Sequence, residues 1–305
     1  MKKIFHLATH RSDLDGLCSA ALIIRAFRKK NVTVKVDYLT LSQTKDNSIP
    51  YDLATDLPKM NAKRNIDHHI SNLENLKKTN RLSEKDIVIP DASSASDLVF
   101  KTYNLKDDPI AKQIRELGVL ADTANLPEKY IILDHVIKGN LDNVAALHKL
   151  TLLIAEHGSD IINQKWVKNQ YAEFQEEIVK VQEMVRKTLD KVSDAKFLII
   201  DARETISGKF SKVVFPIGFE RDVKVIAAVF TDPIVQLTGA SFRVGKPWQD
   251  QYDVRQIAEQ LGGGGHKMAA ATRAKDGNWL YEQVYQEMKK LAEKTNEELK
   301  IVTLK

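Results

Sequence analysis

At 305 residues the chain exceeds what a single hydrophobic core usually fills and is comfortable as two domains. Its 43% apolar and 29% charged residues exclude disorder on a large scale, and a lone cysteine, Cys18, excludes an intramolecular disulfide. No window approaches the roughly 18 apolar residues of a membrane span, and the first apolar stretch turns polar at His10 and Arg11, too soon for a signal peptide. The expectation is a cytoplasmic protein with no membrane partner. Of the net charge of +5, most lies between Lys196 and Lys275, where 12 Lys/Arg face 8 Asp/Glu. That surplus fits either a footprint for a polyanion or a plain solvated surface.

In chain order, Lys3–Ala8 reads as a strand, Gly16–Lys30 as a helix and Val32–Leu39 as a second strand with β-branched residues at alternate positions. Tyr51–Thr55 and Arg64–Ile66 read as short strands, each followed by an acidic residue. Asp86–Pro90 reads as another strand and Ser94–Tyr103 as a helix. Strands alternating with helices predict a mainly parallel sheet flanked by helices, with the polar residues after its strands gathered in one crevice. From Asp107 to about Lys191 the pattern is helical, with an apolar stripe over Ile110–Leu120 and a polar, Lys/Glu-rich helix over Asn163–Lys191. A second, smaller α/β unit follows, with strands at Lys196–Asp201, Val223–Phe230 and Ile234–Val244 and helices at Val254–Leu261 and Trp279–Leu299. The expected organisation is a metal-binding α/β domain over residues 1–158, a helical connector over 159–194 and a substrate-binding α/β domain over 195–305.

Several of the post-strand positions carry chemistry. His10-Arg11-Ser12-Asp13-Leu14-Asp15-Gly16 places two aspartates two positions apart at a strand-to-helix turn, where each can reach a different ion or simply cap the helix. The glycine lets the backbone pass closely before the helix begins. Asp67-His68-His69 follows a predicted strand, and Asp56 follows another. Carboxylates with imidazoles and no cysteine cluster suit a borderline-hard divalent ion such as Mn²⁺ and do not suit structural zinc. Asp122 ends a helix among apolar residues, either as a cap or as a buried carboxylate needing a partner or a metal. In a chain with 13 glycines, four stand together at 262–265 before His266. They form either a flexible turn or a backbone cradle whose N–H groups converge on a phosphate.

The order D-x-D, isolated Asp, D-H-H and Asp-Thr resembles the DHH phosphoesterase superfamily. Leu261 to Ala271 (LGGGGHKMAAA), preceded by Ser241-Phe242-Arg243, is similar to the GGGH signature of its first type of DHH-associated domain. The motifs follow family order over nearly the whole chain. The interval from His10 to Asp13 is three where the family's is two or four; Ala271 replaces the signature's last glycine and Met268 its small polar residue.

The resemblance implies two divalent ions, Mn²⁺ by preference with Mg²⁺ or Co²⁺ as alternatives. His10, Asp13 and Asp56 would hold one. Asp15, Asp56, His68 and Asp122 would hold the other, with Asp56 bridging. His69 would contact the scissile phosphate, with Asp67 also in the catalytic group. Arg243, Gly263, Gly264, Gly265 and His266 would hold substrate from the second domain. The implied reaction is in-line attack of an activated water on a phosphodiester, by an exonuclease of the RecJ or nano-RNase type that trims single-stranded RNA or DNA or short oligonucleotides. The alternatives are a pAp phosphatase or cyclic-dinucleotide phosphodiesterase on the same chemistry, or a non-catalytic binding protein of replication complexes. A homodimer and a replication or RNA-processing partner are further expectations.

Overall fold

The computed structural model describes residues 3–28, 30–45, 47–192, 194–232 and 234–305. Met1 and Lys2, at the head of the predicted N-terminal stretch, and Lys29, within the predicted first helix, lie outside the described residues. The chain divides into two compact units, Met1–Phe174 and Gln175–Lys305.

In the first unit strands β1 (Lys3–His10), β2 (Val32–Leu39), β3 (Leu53–Thr55), β4 (Asn65–Asp67) and β5 (Ile87–Val88) pair in parallel in the order β2-β1-β3-β4-β5. Leu7 and Leu53 face a helical core, whereas Ala8 and Ala54 face a smaller cluster of Tyr51, Leu57 and Met60. With both faces covered, β3 and β4 are buried at every position and show no polar alternation. The helices are α1 (Leu14–Phe27), α2 (Ile70–Lys78), α3 (Ala95–Thr102), α4 (Pro109–Asp122), α5 (Ile131–Gly139) and α6 (Val144–His157), and α7 (Lys165–Leu189) runs from this unit into the next. Helix α1 forms where sequence spacing dictates. Leu14, Leu17, Cys18, Ala21 and Leu22 recur on one helical face, and all are buried. Near its end, the Arg25 guanidinium donates to both oxygens of Asp108, the N-cap of α4, at 2.8 and 2.7 Å, and to Ala155 O of α6 at 2.6 Å. That clasp fixes three helices behind the sheet.

Because the chain leaves β1 for one edge and returns to β3 on its other side, the order reverses between β1 and β3. Crevices that bind ligands in open α/β sheets lie at such switch points, beyond the strands' carboxyl ends. The loops carrying Asp13 and Asp56 leave β1 and β3 there, and the Asp67–His69 loop leaves the neighbouring β4.

The second unit has a mixed sheet. Strands β6 (Phe197–Asp201), β7 (Val225–Asp232), β8 (Leu237–Val244), β9 (Gly264–His266), β10 (Ala269–Ala274) and β11 (Leu299–Thr303) take the order β11-β6-β7-β8-β10-β9. β11, β6 and β7 are parallel; the remaining neighbours are antiparallel. Helices α8 (Ser211–Phe219), α9 (Val254–Gln260) and α10 (Gly277–Lys294) accompany it. The predicted terminal helix stops at Lys294, five residues early. Asn296 takes a left-handed φ of 54°, which asparagine tolerates, and the chain turns into β11 alongside β6. Among the described residues no helix is long and apolar enough to cross a membrane.

Candidate metal centre

Asp13 shows that its two readings are compatible. Its Oδ1 caps α1 by accepting from Gly16 N at 3.0 Å, while its Oδ2 faces His10 Nδ1 at 2.6 Å. Gly16 is required because a Cβ there would collide with His10 O, so only glycine lets the first turn of α1 sit on the end of β1. One turn into the helix, Asp15 is wholly enclosed. Its Oδ2 accepts from Ala95 N at 2.7 Å and its Oδ1 from Ser96 N at 3.0 Å, at the N-terminus of α3, where unpaired N–H groups favour an anion. Helix α4 comes close over this pair at Gly118, whose Cβ would fall on Ser96 Oγ and lie 2.9 Å from Asp15 Oδ1. Gly118→Ala is therefore expected to displace Asp15 and cost about 1–3 kcal/mol of stability, as other overpacked sites do; a denaturant titration with and without Mn²⁺ measures both effects.

Asp56 follows β3 with a left-handed φ of 54°, a conformation aspartate tolerates better than most residues. Its N–H donates to Ile66 O at 3.0 Å, and its carboxylate is only 2% exposed. It lies between two groups of possible ligands: its Oδ2 is 3.5 Å from His10 Nδ1, and its Oδ1 is 3.9 Å from His68 Nε2 and 3.8 Å from His69 Nδ1. His68 Nε2 also lies 3.4 Å from Asp122 Oδ2, yet has no hydrogen-bond partner although it is buried. Among the described residues three sets have ligand atoms within 4.8 Å of one another: His10, Asp13 and Asp56; Asp15, His68 and Asp122; and Asp56, Asp67, His68 and His69. Shared Asp56 and His68 join them into one cluster.

Charge in this cluster is unbalanced. Burial, reinforced by the Asp13 charge, pushes the Asp56 carboxyl well above the usual range, and burial likewise pushes Asp15 up to about 6 against hydrogen bonds from Ser96 and Ala95. Burial also raises Asp122. Burial opposes protonation of His10, but hydrogen bonds to Asp13 and Asp56 outweigh it and push its pKa up to about 10. With no cation bound, the cluster must hold protons to moderate its own repulsion. The enclosed carboxylates of Asp15 and Asp56, the orphaned His68 Nε2 and a set of candidate ligands that does not include Cys18 fit hard or borderline divalent ions.

Asp67 takes a different place from the rest. Its Oδ1 accepts from His68 N at 2.8 Å, His69 N at 3.3 Å and His69 Nδ1 at 2.8 Å, and its Oδ2 accepts from Asn72 Nδ2 at 2.6 Å. Four donors occupy this buried carboxylate, which therefore orients the histidine pair and fixes the proton of His69 on Nδ1. His69 itself is half exposed, and its hydrogen bond to Asp67 raises its pKa. Asn72 and Asn65 had no place among the expected site residues. Asn72 Nδ2 also reaches Asn65 Oδ1 at 2.7 Å, and Asn65 Nδ2 donates to Ala54 O and Leu57 O. The readable signal was an asparagine on the buried face of a helix that starts directly after the histidines. Asp122, expected among apolar neighbours, is 31% exposed at the end of α4 and opens onto the site.

His10, Asp13, Asp56, Asp67, His69 and Asp122 line a pocket of about 870 Å³ in the first unit. Arg243 and the glycine run lie in the second unit. There Arg243 stands opposite Ala269, and Ala269 opposite His266, in one row across β8, β10 and β9. Arg243 Nη1 donates to Phe242 O at 2.8 Å, and its guanidinium lies over the Phe215 ring. The glycines form a turn and an edge strand. Gly262 takes a φ of 75° and Gly265 one of 143°, and a Cβ at Gly263 or Gly265 would strike the backbone of β10. Close strand approach requires glycine at 263 and 265, whereas a Cβ at Gly264 would meet nothing.

The sequence model of the DHH family, N-terminal domain, matches residues 3–122, a span that starts at β1 and ends on Asp122. Residues 3–122 form a DHH domain. No curated protein sequence matches the chain. Among solved structures, this chain is similar to the pGpG-specific phosphodiesterase PggH of Vibrio cholerae, with 17% identity and a TM-score of 0.54 over 93% of this chain and 99% of that one. It is also similar to an exonuclease RecJ bound to manganese, with 15% identity and a TM-score of 0.51 over 94% of this chain and 90% of that one. At these identities the likeness is one of fold, and it extends over both units.

Proposed function

We propose that the chain is a divalent-metal-dependent phosphodiester hydrolase that trims single-stranded RNA or DNA, or short oligonucleotides, from an end. The observation that carries this reading is the merging of three ligand sets through Asp56 and His68, around the buried carboxylates of Asp15 and Asp56, in a cluster that opens to the surface at Asp13, His69 and Asp122. His10, Asp13 and Asp56 would hold one ion, and Asp15, His68 and Asp122 the other, with Asp56 between them. Two such ions, Mn²⁺ by preference, supply Lewis acidity and lower the pKa of water. The chain's own residues do the remainder. His69, whose hydrogen bond to Asp67 raises its pKa, would in its doubly protonated form keep Nδ1–H on Asp67 and donate from Nε2–H to a non-bridging phosphate oxygen. Ala95 N and Ser96 N hold Asp15 so that its approach is fixed before substrate arrives. Arg243, with His266 across the sheet, would pair a phosphate further along the strand.

A narrower second reading is hydrolysis of a dinucleotide or of a small nucleotide such as pAp. The fold likeness to a phosphodiesterase specific for pGpG, over almost all of both chains, favours it. The deciding assay is Mn²⁺-dependent hydrolysis of end-labelled RNA and DNA ladders, with pAp, pGpG and cyclic dinucleotides alongside. The primary reading expects stepwise shortening of single strands. It also expects binding that weakens with salt, because each phosphate contact releases counterions, and Arg243→Ala reduces that dependence. Hydrolysis of dinucleotides or pAp with no ladder shortening selects the second reading; no hydrolysis of any substrate with Mn²⁺, Mg²⁺ or Co²⁺ defeats both.

A further inference from the structure

Two threonines buried in the first sheet belong to none of the ligand sets. Thr9 and Thr55 stand opposite each other in the parallel pairing of β1 with β3, two residues beyond the apolar pair Leu7 and Leu53. Residues two apart share a face of a strand, so the threonines point, like the leucines, toward the helical core. Both are 0% exposed. A hydroxyl enclosed in such a place is costly unless it is hydrogen-bonded, and valine would fill either position without that requirement.

The two hydroxyls are bonded in series. Thr55 Oγ1 donates to Thr9 Oγ1 at 3.1 Å, with Ala8 O further off at 3.5 Å, and Thr9 Oγ1 donates to Gly16 O at 2.6 Å. Gly16 in turn donates from its N–H to Asp13 Oδ1 at 3.0 Å. Each member of this chain is joined to one ligand of a single set. Asp56 follows Thr55 directly, His10 follows Thr9 directly, and Gly16 holds the Asp13 carboxylate. His10, Asp13 and Asp56 are one of the three sets. Asp15, in another, is held by Ala95 N and Ser96 N instead. The register of β1 with β3 ends at Thr9 and Thr55, so the hydroxyl bond sits where the two ligand loops part.

We propose that Thr9 and Thr55 are positioning residues for one of the two ions. Their paired hydroxyls set the spacing of His10, Asp13 and Asp56, while the set of Asp15, His68 and Asp122 depends on other supports. This inference rests on the two-ion hydrolase reading. It assigns to the hydroxyls an effect on one ion and not the other, which packing alone would not produce.

The test is titration of the full metal-free chain with Mn²⁺, the unbound ion being followed by electron paramagnetic resonance, with denaturation of the metal-free chain alongside. The wild type is expected to take up two ions. Thr55→Val leaves Thr9 Oγ1 its bond to Gly16 O and orphans no donor, so the metal-free denaturation midpoint should hold or rise. One ion should then bind about tenfold more weakly, the lower end of the effect of partners behind a metal ligand, and the other within about twofold of the wild type. Thr55→Ser, which restores the hydroxyl, should bind both as the wild type does. Two backgrounds identify the ion. His68→Gln leaves the set of His10, Asp13 and Asp56, and Asp13→Asn, whose asparagine still caps α1, leaves the other. Thr55→Val should weaken the remaining ion about tenfold in the first background and less than about twofold in the second. Thr9→Val, which removes both hydroxyl bonds, should repeat the pattern. Where a background retains no ion, the comparison of Thr55→Val with Thr55→Ser decides the matter. Unchanged Mn²⁺ binding by Thr55→Val, equal losses in the two backgrounds, or no recovery in Thr55→Ser overturns the proposal alone. A wild type that takes up no divalent ion removes the hydrolase reading and the proposal with it.

Discussion

Asp56→Asn is expected to abolish hydrolysis, lowering kcat/KM by at least about 10³-fold, the scale on which loss of one preorganised charged group acts at a reacting centre. Asparagine is the informative replacement because it keeps the shape of the side chain and tolerates the left-handed φ of 54°, whereas alanine would add backbone strain. Fold and stability should therefore survive. Without metal, the variant should be slightly more stable than the parent, since a carboxyl that burial and Asp13 hold far above its ordinary range has been removed. With Mn²⁺, the parent's melting temperature should rise and the variant's should not. In the parent, ion binding displaces protons held by Asp56 and by Asp15, whose pKa is pushed up to about 6. The Asp15 proton competes below about 6, and the protons of Asp56 and of His10, whose pKa is pushed up to about 10, compete over a wider range, so ion affinity should increase as pH rises through 6 and continue to increase toward 10. Undiminished turnover by Asp56→Asn at saturating Mn²⁺ would dismiss the bridging role.

Asp67→Asn is expected to damage both stability and activity through a different route. The buried carboxylate accepts four hydrogen bonds, and one amide oxygen cannot replace two carboxylate oxygens. The new NH₂ would confront either the histidine N–H groups or the Asn72 amide. At least one buried donor is left without an acceptor, costing roughly 1–3 kcal/mol, and His69 loses the partner that fixes its proton on Nδ1. Activity should fall about 10–100-fold, as with other groups that orient a ligand from behind. An Asn72→Ala variant should give the smaller part of the same defect, because it removes one of the four donors. Chemical denaturation and the kcat of each variant measure the two parts, and a stable Asp67→Asn enzyme with full kcat would show that His69 needs no orientation.

The candidate centre was legible because its residues stand directly after short strands, where a one-dimensional pattern reports a three-dimensional edge. Asp56 and the Asp67–His69 run were placed that way, and Asp13 by the strand-to-helix turn. The helices α1 and α4 were equally readable, since their apolar spacing matches the helical period. What escaped was whatever depends on partners distant in sequence. Helix α8 has the sequence SKVVFPIGF, an apolar run with Pro216 inside it and no helical stripe. Ala269-Ala270-Ala271 has little intrinsic strand preference and becomes β10 only by pairing between β8 and the glycine edge strand. Strand β11 depends on the turn at Asn296, which no apolar period signals. The Asn72–Asp67 bond, the seat of Asp15 on α3 and the close pass at Gly118 required the folded chain, because each joins segments by hydrogen bonds or steric fit and not by apolar pattern.

The sheet order has a consequence for how such a site can diversify. Strands β1, β3 and β4 are immediate neighbours, so the roots of the His10–Asp15, Asp56 and Asp67–His69 groups are spaced by the hydrogen-bonded ladder itself, about 4.8 Å per step. That interval is close to the roughly 3.5–4 Å between ions in two-metal sites. The ladder acts as a ruler, and lengthening a surface loop does not alter its divisions. The loop after β2, with Leu41, Thr44 and Lys45 in the lining of the same pocket, and the turn after α2, with Arg81 in it, lie outside those three roots. Insertions there could exchange one substrate for another while the reaction stays the same, and a library randomised over residues 41–47 and 79–85 is where a new specificity should be sought.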